Sequence, residues 1–171
     1  GDNGPATAAT LESPVNVAVA PDGSFYIGSS SEYPTTGIRH VGTDGIIASL
    51  NALDSQGNPL NGKIALGPDG SLYVAPGKNC RVYRIGTDGA VSTVAGTGEC
   101  AFYGQPPEGI PAARADLGVL VGIAVTHDGV IYIAEEAFYS FSSRYRIRRI
   151  GTDGIIATVI PFGGGLTIPQ A

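Results

Sequence analysis

The composition of this 171-residue chain is that of a folded domain, because 43% of its residues are hydrophobic and 15% are charged, which excludes a disordered protein. Its formal net charge of −5 argues against a protein that mainly neutralises nucleic-acid phosphates, and no apolar run reaches the length of a membrane-spanning helix. The 26 glycines and 12 prolines, together with short runs of Val, Ile and Thr, predict an all-β fold with many turns.

The first sequence unit contains four short apolar runs with two Asp-Gly turns between them. The runs are VNVAVA (15–20), SFYIG (24–28), GIRHV (37–41) and IIASL (46–50). The turn residues are Asp22, Gly23, Asp44 and Gly45, and a variable loop (28–37) that contains Tyr33 separates the second run from the third. Because glycine adopts positive φ without strain, each Asp-Gly pair between short alternating runs predicts a β-hairpin.

The second unit repeats this order with a shorter variable loop. Its runs are KIALG (63–67), SLYVA (71–75), RVYRI (81–85) and AVSTV (90–94). Its turn residues are Asp69, Gly70, Asp88 and Gly89, and the variable loop is APGKNC (75–80).

The third unit repeats the order again, with a longer variable loop. Its runs are VGIAVT (121–126), VIYIA (130–134), YRIRRI (145–150) and IIATV (155–159). Its turn residues are Asp128, Gly129, Asp153 and Gly154, and the variable loop is AEEAFYSFSSR (134–144). We interpret the Asp and Gly residues of all six turns as structural.

Each unit therefore predicts a four-stranded antiparallel sheet, and the chain contains three such units. Four short strands in a repeat of about 40–50 residues are the pattern of a β-propeller blade. The stretches GDNGPATAATLESPVNVAVAPDGSFYI and YRIRRIGTDGIIATV closely resemble bacterial NHL repeats, including those of secreted proteins of the teneurin-like or YD-repeat-associated type. The resemblance covers almost the whole chain, although the linker 50–62 lacks the Gly-Pro-Ala motif of the family.

The resemblance implies a propeller of which this chain holds three NHL-type blades, at 1–53, 54–100 and 101–159, with 160–171 as a linker toward a further blade. Propellers close with about 4–8 blades, so we expect the ring to be incomplete. Further blades of the same polypeptide or a second copy would complete it. The chain has no Met and begins in a polar segment, which favours the first alternative.

Cys80 and Cys100 are the two cysteines of the chain. Antiparallel pairing about the turn at 87–88 places Cys80 opposite about residue 95–97, so Cys100 can return within bonding reach. A disulfide would indicate an oxidising compartment. The alternative is two unrelated buried thiols.

The loop of the third unit carries the binding candidates of the chain, where acidic residues stand beside aromatic ones. They are Glu135, Glu136, Phe138, Tyr139, Phe141 and Arg144, with Tyr33 as a weaker candidate in the first variable loop. These residues either form a partner-binding edge or pack their own aromatic rings against the next blade.

The basic stretch SRYRIRRI (143–150) also permits two interpretations. It suggests RNA binding, which some NHL propellers perform. However, Arg or His recurs in every third run (Arg39, His40, Arg81, Arg84), so we expect these side chains to lie along the sheet and pair with carboxylates of the loops.

We predict a non-catalytic scaffold or binding module for protein or ligand interaction, within a larger secreted or cell-surface bacterial protein. We expect no cofactor and no metal, since His40 and His127 are the two histidines and stand far apart in the sequence. A lyase- or hydrolase-like propeller with catalytic residues in other blades, and an RNA-binding propeller, are the alternatives.

Overall fold

The computed structural model describes residues 1–30, 37–101, 107–139 and 142–161. These residues form β-strands and three short 3₁₀ turns, with no α-helix among them, and the strands lie in three antiparallel sheets. No helix in this part of the chain has the length and apolar character needed to cross a membrane. The predicted all-β fold is confirmed.

The first sheet has one strand more than the sequence predicted. Its strands are β1 (Gly4–Pro5), β2 (Pro14–Val19), β3 (Phe25–Ser29), β4 (Ile38–Val41) and β5 (Ile46–Leu50). The spatial order is β1-β5-β4-β3-β2, so the four predicted strands form a meander and β1 is added at its outer edge. Pro5 is tolerated there because an edge strand does not require its missing N–H.

The second sheet consists of the four predicted strands. They are β6 (Lys63–Leu66), β7 (Leu72–Ala75), β8 (Val82–Ile85) and β9 (Val91–Ala95), in spatial order. The preceding linker lacks the Gly-Pro-Ala motif and adds no strand to this sheet. It instead turns back on itself, with Leu53 and Pro59 paired in an antiparallel bridge.

The third sheet repeats the five-stranded order of the first. Its strands are β10 (Ile110–Pro111), β11 (Val119–Val125), β12 (Ile131–Tyr139), β13 (Ser142–Ile150) and β14 (Ile155–Ile160), in the order β10-β14-β13-β12-β11. β12 and β13 are each nine residues long and are the longest strands in the described part of the chain.

The sheets stack face to face in chain order, and apolar cores lie between them. Ile38 of the first sheet packs in one core with Ile64 and Val74 of the second. Val82 of the second sheet packs in another core with Ile133 of the third. Neighbouring sheets that bury one face against each other are the arrangement of adjacent propeller blades.

A side chain also joins the first and second sheets by hydrogen bonds. Asn16 on β2 donates from Nδ2 to the Ile64 carbonyl at 2.7 Å, and its Oδ1 accepts from the Ile64 N–H at 3.0 Å. The Asn16 amide therefore binds both the N–H and the carbonyl of Ile64 on β6. This pair of bonds fixes the position of β2 relative to β6 along the strand direction.

Within the described residues no further sheet covers the outer face of the first or the third sheet, so the ring is not closed. On the first sheet, Ala6 and Ala9 pack over Ile27, Val41 and Ile47 and leave the part at β2 exposed. Val17 and Val19 on β2 are 54% and 66% exposed. On the third sheet, Tyr132, Ala134 and Ile147 line an open apolar depression. Both faces have the character of a surface that another blade covers.

The GTDG turns are built by backbone geometry. In the first copy, the Gly45 N–H donates to the Gly42 carbonyl at 2.9 Å, and Gly45 has φ of +75°. The Asp44 carboxylate accepts from the Ile46 N–H at 3.0 Å, and Asp88 and Asp153 make the equivalent bond in the other two units. These aspartates stabilise turns, and their hydrogen bonds remain within each turn.

Replacing Gly45 with alanine is expected to lower the free energy of unfolding by about 1–2 kcal/mol, because an L-residue is strained at positive φ. A methyl group at this position meets nothing within 4 Å, so the cost comes from the backbone alone. Urea denaturation measures the change. Gly4→Ala is the matched control, since Gly4 has equal space and no positive φ. If the two variants were equally stable, the turn at Gly45 would not depend on glycine at a positive φ.

Candidate functional site

The variable segments of the chain lie at one end of the sheets. In an antiparallel meander, the connection from the second strand to the third leaves the same end as the linker to the next sheet. The Asp-Gly turns lie at the opposite end. We call the end with the linkers and the longer connections the loop end. Its described segments are the linker 51–62, the connection 76–81, the linker 96–101 and 107–118, and the part of the β12–β13 hairpin nearest its turn.

The segment 134–144 was predicted as a loop, and this prediction is wrong for most of its length. Glu135 through Tyr139 continue β12, and Ser142 through Arg144 begin β13. The register places Glu135 opposite Arg146 and Glu136 opposite Tyr145. Cross-strand pairing between oppositely charged and polar side chains extends the hairpin, which local sequence does not reveal.

Glu135 is fully buried, so its side chain is not part of an exposed binding edge. The Arg146 Nε donates to Glu135 Oε2 at 2.6 Å, and Arg146 Nη2 lies 2.5 Å from the same oxygen. The Gly118 N–H also donates to it, at 3.3 Å. Glu135 therefore joins β12 and β13 to the linker that enters the third sheet.

Arg148 extends this buried cluster toward the linker. Its side chain is fully buried, its Nη1 lies 4.0 Å from Glu135 Oε1, and its Nη2 donates to the Pro107 carbonyl at 2.6 Å. Burial lowers the pKa of Arg148, and the carboxylates of Glu135 and Glu108 oppose this shift. We name Glu135, Arg146 and Arg148 the buried charge cluster.

The four arginines of SRYRIRRI thus divide between two faces. Arg146 and Arg148 point into the space beside the second sheet, whereas Arg144 and Arg149 are exposed. Elsewhere, Arg39 pairs with Asp2 and Arg84 with Asp69, each at 2.6 Å. The stretch is therefore not one continuous basic surface. Of the cations predicted to pair with loop carboxylates, Arg39 and Arg84 do so, whereas Arg81 donates to the Thr97 carbonyl.

The remaining binding candidates lie partly outside the described structure. Glu136 and the exposed Tyr145 stand together on the outer face, with the Tyr145 hydroxyl 3.5 Å from Glu136 Oε1. Phe138 and Tyr139 belong to β12 by their backbone. Tyr33 and Phe141 lie outside the described residues.

The two histidines have separate surroundings. The His40 ring lies 4.6 Å from that of Tyr26, centroid to centroid, and His127 stands in the turn before β12. Among the residues that the structure describes, no group of three or more His, Cys, Asp or Glu side chains is placed to hold a metal ion.

A disulfide bond joins Cys80 and Cys100, whose Cα atoms are 5.3 Å apart. Both cysteines of the chain are used in it. The bond ties the connection between β7 and β8 to the linker that follows β9, and so braces the loop end of the second sheet.

A polar cleft beside the second sheet was not predicted from the sequence. It lies at the loop end, between the linker 51–62 and the connection 76–81, and has a volume of about 290 Å³. We name it the linker cleft. Its polar lining includes Asp54, Asn58, Asn61, Lys78 and Arg81. The polar residues of DSQGNPLNGK (54–63) were the available signal, but the side chains that face them lie about 20 residues further along the chain, in the connection 76–81.

Comparison with protein families supports the resemblance seen in the sequence. The family model described as Teneurin NHL domain matches residues 1–167. Curated relatives include Teneurin-m of Drosophila melanogaster, 31% identical over 92% of this chain, and Teneurin-3 of Mus musculus, 33% identical over 93%. The matched region spans 6% of the length of each relative. These relatives are animal proteins, so the predicted bacterial source has no support.

Solved structures with this fold include a Bacteroides thetaiotaomicron protein of unknown function, with a TM-score of 0.63, 20% identity, and coverage of 88% of this chain and 35% of the other. Regucalcin, a calcium-binding protein of Agrobacterium tumefaciens, matches with a TM-score of 0.55 and 18% identity, over 85% of this chain and 44% of its own. At such identities the likeness shows the fold alone, which is that of a β-propeller.

Proposed function

The chain belongs to the Teneurin NHL domain family, and from this premise we propose that it is a non-catalytic propeller module that holds a rigid binding surface within a larger protein. In this proposal the blades occupy 1–53, 54–100 and 101–159. Residues 160–171 lead toward a further blade, and all but the first two of them lie outside the described structure.

The apolar side chains left exposed on the outer faces of the first and third sheets are the observation that carries the proposal. Val17 and Val19 are exposed on the first sheet, and the half-buried Tyr132 and Ile147 line an open apolar depression on the third. Exposed apolar area of this kind marks an interaction surface. We propose that further blades of the same polypeptide cover both faces, since the chain matches only 6% of the length of its relatives.

The loop end is the surface that such a module presents to a partner. The disulfide and the buried charge cluster hold its segments in place, so a partner meets a pre-organised surface. The disulfide also supports a secreted or cell-surface location, because such bonds persist in oxidising compartments.

Sedimentation velocity tests whether the outer faces of the first and third sheets are surfaces that need a partner. The isolated chain is expected to associate with increasing concentration, because its apolar end faces pair with each other. The double variant Val17→Lys with Val19→Lys is expected to weaken this association by about tenfold or more, since it places charges on one face. Leu53→Lys is the control, because Leu53 is 48% exposed but lies on the linker, away from the end faces. A stable monomer of the unmodified chain would contradict the proposal.

Two further measurements address the alternatives. A stoichiometric transition metal in the purified protein would favour a lyase- or hydrolase-like propeller. RNA affinity that persists at physiological salt would favour an RNA-binding propeller.

A further inference from the structure

A segment of four residues, 3–6, covers the outer edge of the first sheet. The Asn3 N–H donates to the Ile47 carbonyl of β5, and the Ala6 N–H donates to the Gly45 carbonyl, each at 2.8 Å. Pro5 lies between the two donors, where its missing N–H is not needed. Two backbone donors three residues apart are therefore enough to pair a segment with this edge.

The third sheet repeats this arrangement at its own outer edge. The Gly109 N–H donates to the Ile156 carbonyl at 3.0 Å, and the Ala112 N–H donates to the Gly154 carbonyl at 2.8 Å. Pro111 again precedes the second donor. The two covering segments, NGPA (3–6) and GIPA (109–112), thus share both the donor spacing and the proline.

The equivalent edge of the second sheet is uncovered in the described part of the chain. Gly89 ends the GTDG copy of this unit and Val91 follows it by two residues, so their carbonyls correspond to the two acceptors in each of the other sheets. Among the described residues, no backbone N–H from outside the sheet donates to either carbonyl, and β9 pairs with β8 alone.

The hairpin register directs the backbone groups of Val91 away from β8. The Gly86 N–H donates to the Ala90 carbonyl at 2.8 Å, so these two residues form a hydrogen-bonded pair. The next pair, Ile85 and Val91, is then not hydrogen-bonded, and the N–H and carbonyl of Val91 point to the outer edge. Val91 is half-buried and Gly89 is exposed, so another chain can approach them.

The side chains of β9 leave this edge open to pairing. Its sequence is VSTVA, without the charged residues or proline that protect many edge strands. Ser92 and Thr93 are exposed and small. The corresponding strands β5 and β14 are also uncharged, and each of them is covered. The edge of β9 therefore has the character of the two edges that bind a segment.

We propose that the outer edge of β9 binds an extended, proline-containing peptide segment of a partner protein by strand addition. The N–H groups of the first and fourth peptide residues donate to the Val91 and Gly89 carbonyls, and proline is the third residue, as in 3–6 and 109–112. Proline also restricts the unbound peptide, so less conformational entropy is lost on binding.

The covered edges indicate a short segment as the occupant. β1 and β10 each pair over two residues and are followed at once by a 3₁₀ turn. The β9 strand of a second copy, which is five residues long and has no proline, is less well matched. The inference rests on the proposed function of a non-catalytic binding module and adds a partner class and a surface apart from the loop end.

Titration of the folded chain with the capped peptide EGIPAA, the sequence of residues 108–113, tests the proposal. NMR chemical-shift changes are expected at the amides of residues 89–93, with a Kd of about 1 mM. The capped peptide EPIGAA is the control. It has the same composition but lacks the first donor N–H, and we expect it to bind about tenfold more weakly or less.

Three results of this titration would overturn the proposal. One is equal binding of the two peptides, because strand addition requires the first donor. Another is the absence of shift changes with EGIPAA. The third is a set of changes centred on Ile47 or Ile156, which would show that the peptide displaces β1 or β10 and does not occupy β9.

Val91→Pro tests the edge itself. The Val91 N–H faces outward, so proline is tolerated there as at other sheet edges, and it blocks an added strand. EGIPAA binding is expected to fall about tenfold or more, whereas Val91→Ala keeps the N–H and is expected to bind within about twofold of the unmodified chain. Unchanged binding to Val91→Pro overturns the proposal.

The comparison of the two peptides uses the unmodified chain and does not depend on the folding of either variant. The edge of β9 is also separate from the apolar end faces. Failure of EGIPAA to bind would therefore leave the sedimentation prediction unaffected, and a monomeric chain that still bound EGIPAA would contradict the proposed function alone.

Discussion

Replacing Glu135 with alanine is expected to lower the free energy of unfolding by about 3–5 kcal/mol, because it removes the buried carboxylate that Arg146 contacts and Arg148 faces. Arg146 and Arg148 are both buried, and Glu135 is the carboxylate that Arg146 contacts at 2.5 Å. Removing one partner of a buried ion pair leaves an uncompensated charge in a low dielectric. Urea denaturation followed by circular dichroism measures the loss.

Glu136→Ala is the matched control for this prediction. Glu136 is the next residue on the same strand, but it lies on the outer face, where the Tyr145 hydroxyl is 3.5 Å away. Its replacement is expected to change stability by less than about 1 kcal/mol. If Glu135→Ala and Glu136→Ala were equally stable, the buried charge cluster would not be an essential contact between the hairpin and the linker.

Replacing Cys80 and Cys100 with serine is expected to lower the free energy of unfolding by about 3 kcal/mol. The bond closes a loop with a sequence separation of 20 residues, and a cross-link of this length restricts the unfolded chain. Denaturation of the double variant and of the unmodified chain, each with and without reductant, measures the difference.

Reductant provides the internal control. It is expected to lower the stability of the unmodified chain to that of the serine variant and to leave the variant unchanged. Thiol labelling of the native chain without reductant should give no product, because both cysteines are bonded. Complete labelling under these conditions would refute the bond and remove the main support for a secreted or cell-surface location.

The turns were predictable because their determinants are local. Glycine at a positive φ and an aspartate that binds the N–H two residues later are both encoded within four residues, and the GTDG copies show the same geometry. Strand positions followed from the alternation of apolar residues between these turns. The repeat then indicated three sheets of a propeller, since each short sheet needs neighbours to cover its apolar faces.

The charge of Glu135 was evident in the sequence, but its burial was not. An acidic residue beside aromatic ones indicates a surface loop when the pairing of the strand is unknown. The hairpin register places Glu135 opposite Arg146, which lies 11 residues further along the chain. The ion pair with Arg146 makes burial of the Glu135 carboxylate possible. Its burial therefore depends on a contact between two strands and not on the local sequence.

The sequence by itself determined the repeat, the strand-forming segments and the turns, because local backbone preferences and hydrophobic periodicity act over a few residues. For Cys80 and Cys100 it left two alternatives, a disulfide bond or two separate buried thiols. Only the tertiary structure decided which polar side chains are buried and which meet in the linker cleft. Asn61 belongs to the linker 51–62 and Arg81 to the connection 76–81, and the folding of these two segments against each other brings both residues to the lining of the cleft. Such sites depend on long-range packing, which no short stretch of the chain specifies.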